Sequence, residues 1–221
     1  MFKIMAVFLS GAVCAGCNGL VRPDVDGAGE PHYFRVFSGF PLPFLYMASA
    51  VQWNEEYAVT VRHIPLVSGK VHTCSTGCDL VFIRHRCDCK VPTWRAPRVG
   101  ENITAAGASP YLLGVTGQGK VYPAPFINID ESSGEHYAIH DAPLVEGMSG
   151  GPVIGSDGQI VGINIGIYST ILNDIDNPGV KGAKRISIFV PYAVIQREWS
   201  LLDARLPPSS RQRIAAKLPG I

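Results

Sequence analysis

Short runs of β-branched and apolar residues, broken every few positions by glycine, proline, asparagine or aspartate, recur along this chain and constrain its fold more than any other feature. Tyr57-Ala58-Val59-Thr60-Val61, Leu80-Val81-Phe82-Ile83 and Ile188-Phe189-Val190-Pro191 are examples. Runs of that length bounded by turn residues read as strands, and many of them in series argue an all-β fold over an α/β one. No heptad, solenoid repeat or low-complexity tract competes with this reading. With 221 residues and 47% hydrophobic content, the chain buries a substantial core as one two-barrel unit or two small, tightly packed domains. The formal net charge is +1 and no basic cluster stands out, so nucleic acid is not expected as a partner.

One turn carries chemistry. Glu146-Gly147-Met148-Ser149-Gly150-Gly151-Pro152 sets a serine among glycines just before the apolar run Val153-Ile154. A serine hydroxyl is a poor nucleophile unless a sharp, open turn holds it beside a base, with backbone N–H donors aimed at the developing oxyanion. Gly147 can take φ values closed to other residues, and Gly150 and Gly151 let a substrate backbone approach. A glycine-rich hairpin connection would look the same, so the partners of the serine decide.

Both partners lie upstream. The run Tyr57 to Val61 continues through Arg62 and delivers His63 at a strand end, and Asp79 stands at the mouth of the strand Leu80-Val81-Phe82-Ile83. His63 would serve as general base, with Asp79 holding its imidazole in the required tautomer. Asp88 is the nearest rival carboxylate, but it sits between two cysteines and lacks an apolar strand after it.

In this order, His63, Asp79 and Ser149 with their strands resemble the chymotrypsin-like (trypsin-like) serine peptidases, in their compact bacterial and viral branches. The resemblance covers most of the chain. Ala48 to Trp53 followed by Tyr57 to His63 is similar to the family's strand, turn, strand and histidine. Ile103 to Pro110 and Leu113 to Val121 look like the opening strands of a second barrel, Asp157 to Ile163 like the hairpin after the nucleophile, and Ile188 to Pro191 like the last strand. The implied architecture is two antiparallel six-stranded Greek-key barrels with a short C-terminal helix. His63 and Asp79 are only sixteen positions apart, so part of the first barrel must be abbreviated. Met148 stands where the digestive enzymes keep an aspartate that pairs with a newly cut N-terminus, so activation by that ion pair is not expected.

The resemblance implies a serine endopeptidase acting on proteins or peptides through an acyl-enzyme, with the amides of Gly147 and Ser149 as oxyanion donors. No cofactor is implied. Pro143, six before the serine, replaces the acid found in trypsins and is followed by Leu144 and Val145, which implies preference for an apolar or small side chain. Ile163, Asn164, Ile165 and Gly166 are expected to form the strand along which substrate adds by β-pairing, with Asn164 either reaching the pocket or standing in solvent.

The chain is expected to divide into a leader-like segment (1–17), an N-terminal linker (18–32), the first barrel (33–92), the second barrel with the helix (93–205) and a tail (206–221). Val91 to Gly100, with Pro92 and Pro97, reads as the link between barrels. After Pro191, Ile195, Trp199 and Leu202 form the apolar stripe of a helix expected to pack back on the second barrel.

Lys3 followed by Ile4-Met5-Ala6-Val7-Phe8-Leu9 resembles a secretory signal, too short to remain as a membrane span. Cys14-Ala15-Gly16-Cys17 looks like a lipoprotein box with Cys in its first position, which would make Cys17 a lipidated membrane anchor; secretion after Ala15 is the other route. Either one exports the chain, as a periplasmic, membrane-anchored or secreted protein expected to be a monomer; an ordinary buried N-terminal segment is the alternative.

Cys74, Cys78, Cys87 and Cys89 flank Asp79. In an exported chain they suggest two disulfides, with three pairings open. Ser75-Thr76-Gly77 would set Cys74 opposite Cys78, whereas an extended strand would part Cys78 from Cys87 by roughly 30 Å. In a reducing compartment the four thiolates with His72 and His85 would instead suit a structural zinc. Two other functions therefore stay open: a silent peptide-binding module on a peptidase fold, and a metal-stapled interaction protein.

Overall fold

The computed structural model describes residues 15–16, 19–24, 33–110, 113–123, 137–168 and 178–207. The leader-like segment, including Cys14 and Cys17, lies outside these apart from Ala15–Gly16 (β1), which pairs with Gly19–Leu20 (β2). The tail beyond 207 lies outside them as well.

Alternating and continuous apolar runs fold into antiparallel strands, as their composition requires. The first sheet is ordered β4-β5-β6-β8-β7 and contains Phe34–Ser38 (β4), Tyr46–Gln52 (β5), Tyr57–Thr60 (β6), Lys70–Thr73 (β7) and Val81–Arg84 (β8). Val59 is set by register between Val51 of β5 and Phe82 of β8, and all three are fully buried.

Asn102–Ala108 (β9), Gly114–Tyr122 (β10), Ala138–His140 (β11), Pro152–Gly155 (β12), Ile160–Tyr168 (β13) and Ile186–Pro191 (β14) make the second sheet. They run β11-β14-β13-β12-β9-β10, and the pairing of Val121 with His140 closes them into a six-stranded barrel. The first sheet has five strands among the described residues instead of six, because the sixteen-residue interval between His63 and Asp79 holds only β7 and a tight cysteine loop. Arg22–Pro23 (β3) adds to β10 at Thr116 and Val115, so part of the expected N-terminal linker is sheet, and Val21 beside it is buried in the second core.

The C-terminal helix, Tyr192–Asp203 (α1), follows β14 directly. It buries Val194, Ile195, Glu198 and Leu202. It packs on β13 and β14 of the second sheet, as expected, and reaches the first sheet as well: Trp199 contacts Tyr57 and Phe82, at ring-centroid distances of 5.4 and 5.6 Å. Trp53 and Trp94 join the same cluster, the second from the segment linking the sheets. All three tryptophans of the chain thus meet where helix, first sheet and linker converge. The large rings supply apolar area that neither sheet buries alone. Among the described residues no helix is long and apolar enough to cross a membrane.

Candidate active site

His63 sits in the bend after β6, and Asp79 in the turn between the cysteine loop and β8. The carboxylate binds the histidine and the backbone that carries it. Asp79 Oδ1 accepts the N–H groups of Arg62 and His63, each at 2.8 Å, while Oδ2 meets His63 Nδ1 at 2.5 Å. A carboxylate in this contact accepts from Nδ1–H, which leaves Nε2 on the side of the ring away from Asp79. From the second barrel, the Tyr137 hydroxyl accepts the Asp79 N–H at 3.0 Å, which holds the backbone that carries the carboxylate.

Ser149 lies in the turn before β12, where Gly147 and Gly150 take φ of +87° and +79°. These left-handed values explain the glycines, since a side chain on Gly150 would also run into the Ser49 carbonyl. Three amides of the turn have partners: Met148 donates to Val145 O at 3.1 Å, Gly150 to Asn164 O at 2.7 Å and Gly151 to Met148 O at 2.9 Å. The Gly147 and Ser149 amides have none among the described residues. The Ser149 hydroxyl donates to Ile165 O at 3.4 Å, and no hydrogen bond joins it to His63.

The turn is gripped from the first sheet by Ser49 of β5. Its hydroxyl donates to Gly147 O at 2.8 Å and accepts from Ala108 N–H at 2.9 Å; its own N–H donates to Ser149 O at 2.8 Å. Thr60 Oγ1 holds the Ser49 carbonyl at 2.7 Å.

A cavity of about 380 Å³ lies between the sheets, lined by Arg62, His63, Asp79, Tyr137, Ile165, Gly166 and Ile167. The segment Ile165 to Ile167 therefore offers the open edge, not Ile163 to Gly166. Ile163 is fully buried between Pro152 of β12 and Val190 of β14, so its edge is already taken. Asn164 is fully buried as well and reaches neither pocket nor solvent. Its Nδ2 donates to Gly151 O and Pro152 O, each at 3.1 Å, and its Oδ1 accepts from His140 Nε2 at 3.0 Å. A bulge between Asn164 and Gly166 then takes Ile165 out of register with β14. His140 is neutral at physiological pH: burial pushes its pKa down to about 4, and Nδ1 accepts the Ala142 N–H at 3.1 Å. Of the expected specificity residues, Pro143 packs on Gly117, Leu144 is buried in the second core and Val145 is half-buried.

The cysteines pair as Cys74–Cys78 and Cys87–Cys89, with Cα separations of 5.4 and 5.2 Å. Both histidines considered for zinc are engaged elsewhere. His85 bonds Gln52 Oε1 at 2.9 Å, and His72 meets the buried Glu198 of α1 at 2.8 Å. No group of three metal-ligating side chains is present among the described residues. Glu198 also accepts the N–H and hydroxyl of Ser75, each at 2.7 Å, so the helix holds the cysteine loop that leads into Asp79.

Ser49, Tyr137, Ile167 and Glu198 escaped the sequence reading. Glu198 alone left a signal there, an acid beside Trp199 on the apolar stripe of the helix.

No protein-family profile matches the chain, and no curated protein matches it by sequence. Solved structures do resemble it. The HtrA-type protease AlgW, solved with a tripeptide, superposes with a TM-score of 0.64 at 18% identity, over 81% of this chain and 62% of that one. A serine endoprotease from Yersinia pestis gives 0.62 at 18% identity, over 80% and 65%. Rv3671c from M. tuberculosis H37Rv, in an inactive form with serine replaced by alanine, gives 0.60 at 12% identity, over 84% and 97%. The chain spans less than two thirds of the length of the first two. The closed six-stranded barrel, the second sheet and the short C-terminal helix give this chain the chymotrypsin-like double-barrel fold of these serine proteases.

Proposed function

We propose that the protein is a serine endopeptidase that cleaves proteins or peptides through an acyl-enzyme intermediate. The observation that carries this is the His63–Asp79 pair, which opens on the same cavity as Ile165, the residue whose carbonyl holds the Ser149 hydroxyl. His63 Nε2 takes the proton of Ser149 Oγ as it attacks the scissile carbonyl, Asp79 stabilises the imidazolium, and His63 then protonates the leaving amine. The unpartnered amides of Gly147 and Ser149 receive the oxyanion, each donor contributing about 3 kcal/mol to the transition state. The acyl-side residues of the substrate pair with Ile165 to Ile167. Pro143 in place of the acid found in trypsins, followed by Leu144 and Val145, favours an apolar or small side chain before the scissile bond. The two disulfides suit an exported protein. Secretion and attachment through a lipidated Cys17 are the two routes.

The bond from Ser149 to Ile165 O, in place of one to His63, favours a second reading: a peptide-binding protein that holds substrate without cutting it. Catalytic hydrogen bonds commonly tighten only with substrate bound, so the enzyme reading stands first. Fluorophosphonate labelling separates the two. The native chain is expected to label, and Ser149→Ala and His63→Ala are not; equal labelling of all three, or none in the native chain, removes the enzyme reading.

A further inference from the structure

The motif Cys87-Asp88-Cys89 follows β8 and lies outside the candidate active site. Its bridge sits in surroundings unlike those of the other one. Cys74 and Cys78 are buried and belong to the main hydrophobic core. Cys87 is half-buried and Cys89 exposed, and neither belongs to a core cluster. The Cys87–Cys89 bridge spans only two positions of sequence, and so small a ring removes little entropy from the unfolded chain. The backbone around it is held by other bonds: His85 N–H donates to Glu56 O at 3.0 Å and Cys87 N–H to Glu55 O at 3.1 Å. Opening the bridge therefore costs the fold little. An exposed disulfide that carries little of the structure is one that thiols can open.

Exchange begins with a thiolate, so local charge and access decide which sulfur is attacked. Arg86 and Lys90 flank the pair, and Asp88 lies between the cysteines. Arg86 is 3.6 Å from Glu56. Lys90, exposed and next to Cys89, has no hydrogen bond or ion pair among the described residues. An incoming thiolate thus reaches Cys89, and Cys87 is the sulfur that leaves.

We propose that Cys87–Cys89 is a thiol–disulfide exchange site that oxidises pairs of free cysteines in an unfolded polypeptide. Neither cysteine lines a major cavity, so the partner must bring its thiols on an accessible, flexible chain. One thiolate of the partner attacks Cys89 Sγ, the bond between the two bridge sulfurs breaks, and Cys87 Sγ leaves with the electron pair and takes a proton. The partner's second thiolate then attacks its own sulfur in the mixed disulfide and releases Cys89 as a thiol. The partner loses two electrons and two protons, and the bridge gains them. A second thiol on the same chain acts at high effective concentration, which favours a dithiol over two separate monothiols. A small disulfide such as glutathione disulfide reoxidises the pair by the reverse exchange. None of this depends on the peptidase reading.

The test mixes the oxidised native protein, without oxygen, with a reduced, unstructured peptide that carries two cysteines. Free thiols are alkylated at intervals and located by mass spectrometry. Cys87 and Cys89 are expected to become reduced as the peptide gains its disulfide, mole for mole, and at least about tenfold faster than Cys74 and Cys78. With glutathione disulfide supplied, the native protein is expected to oxidise several equivalents of peptide. Cys87→Ser with Cys89→Ser is expected to add nothing to the rate of glutathione disulfide alone. Reduction of both bridges at one rate, no oxidation of the peptide, or oxidation that persists in the double variant overturns the proposal. If reduced glutathione at the same thiol concentration opens the bridge and the peptide does not, the partner is a small thiol and the assignment to polypeptides falls.

Discussion

The Ser49 hydroxyl donates to the Gly147 carbonyl at 2.8 Å, across 98 positions of sequence, and so ties the first sheet to the peptide unit beside the proposed oxyanion donor. Without it, Gly147 O and the Ala108 N–H both lose a buried partner. Ser49→Ala is expected to lower kcat for peptide hydrolysis by about tenfold with little change in KM, since the turn loses its orientation but the β13 edge is untouched. Steady-state kinetics on the purified variant check this. An unchanged kcat would mean that the turn is held by its other bonds alone.

Glu198 is a buried carboxylate whose acceptors are all used. Burial pushes its pKa up, but the bonds from Ser75, His72 and Arg197 outweigh this and hold it below the usual carboxylate range. Glu198→Ala strands those donors in the interface between α1 and the cysteine loop. It is expected to cost about 3 kcal/mol of stability, read as a lower midpoint in urea. A loss within experimental error would show that water replaces the carboxylate.

Acid should destabilise the fold before ordinary carboxylates titrate. His140 has a folded pKa near 4 against about 6.5 unfolded, so between these values the unfolded chain binds a proton that the folded chain refuses. Stability therefore falls as pH drops through this window, by up to about 3 kcal/mol, with neighbouring Asp141 moderating the loss. Below the window Glu198 and Glu101, both depressed on folding, add to the same trend. Urea melts at pH 7, 5.5 and 4.5 on native protein and His140→Gln check it: the variant's curve should be flatter in this window, and parallel curves would exclude His140 as the cause.

Opening the Cys74–Cys78 loop should loosen Asp79. By chain entropy a loop this short contributes about 2 kcal/mol. Cys74→Ser with Cys78→Ser is expected to lower the melting temperature and to slow fluorophosphonate labelling of Ser149, while Cys87→Ser with Cys89→Ser should slow it less. Equal effects of the two pairs on labelling would remove the link between this loop and Asp79.

Much of the fold was legible because strand propensity and turn chemistry are local. The run Tyr57 to Val61 contains β6, buried throughout, and Gly147, expected to take a φ closed to other residues, has one of +87°; Gly150 and Gly151, expected to let a substrate backbone approach, instead face the Ser49 and Ala106 carbonyls. The helix after Pro191 was legible for the same reason, and it packs on the second sheet as expected. Periodicity states which face is buried, not everything that covers it, and Trp199 meets the first sheet as well. Asn164 misled for a related reason. Residue type suggests solvent or a pocket for a strand asparagine, yet His140 and two carbonyls satisfy it in the core.

Taken alone, the sequence determined the all-β class, the serine turn and the candidate chemistry of His63, Asp79 and Ser149, since these follow from residue type, short-range spacing and order. Only the tertiary structure decided which side chains hold that chemistry in place. Tyr137 reaches Asp79 across 58 positions and Ser75 reaches Glu198 across 123. It also moved the open edge of β13 to Ile165 through Ile167, because β12 covers the strand up to Ile163. Such contacts depend on how two sheets and a helix meet in space, and no local pattern of propensity or periodicity encodes that meeting.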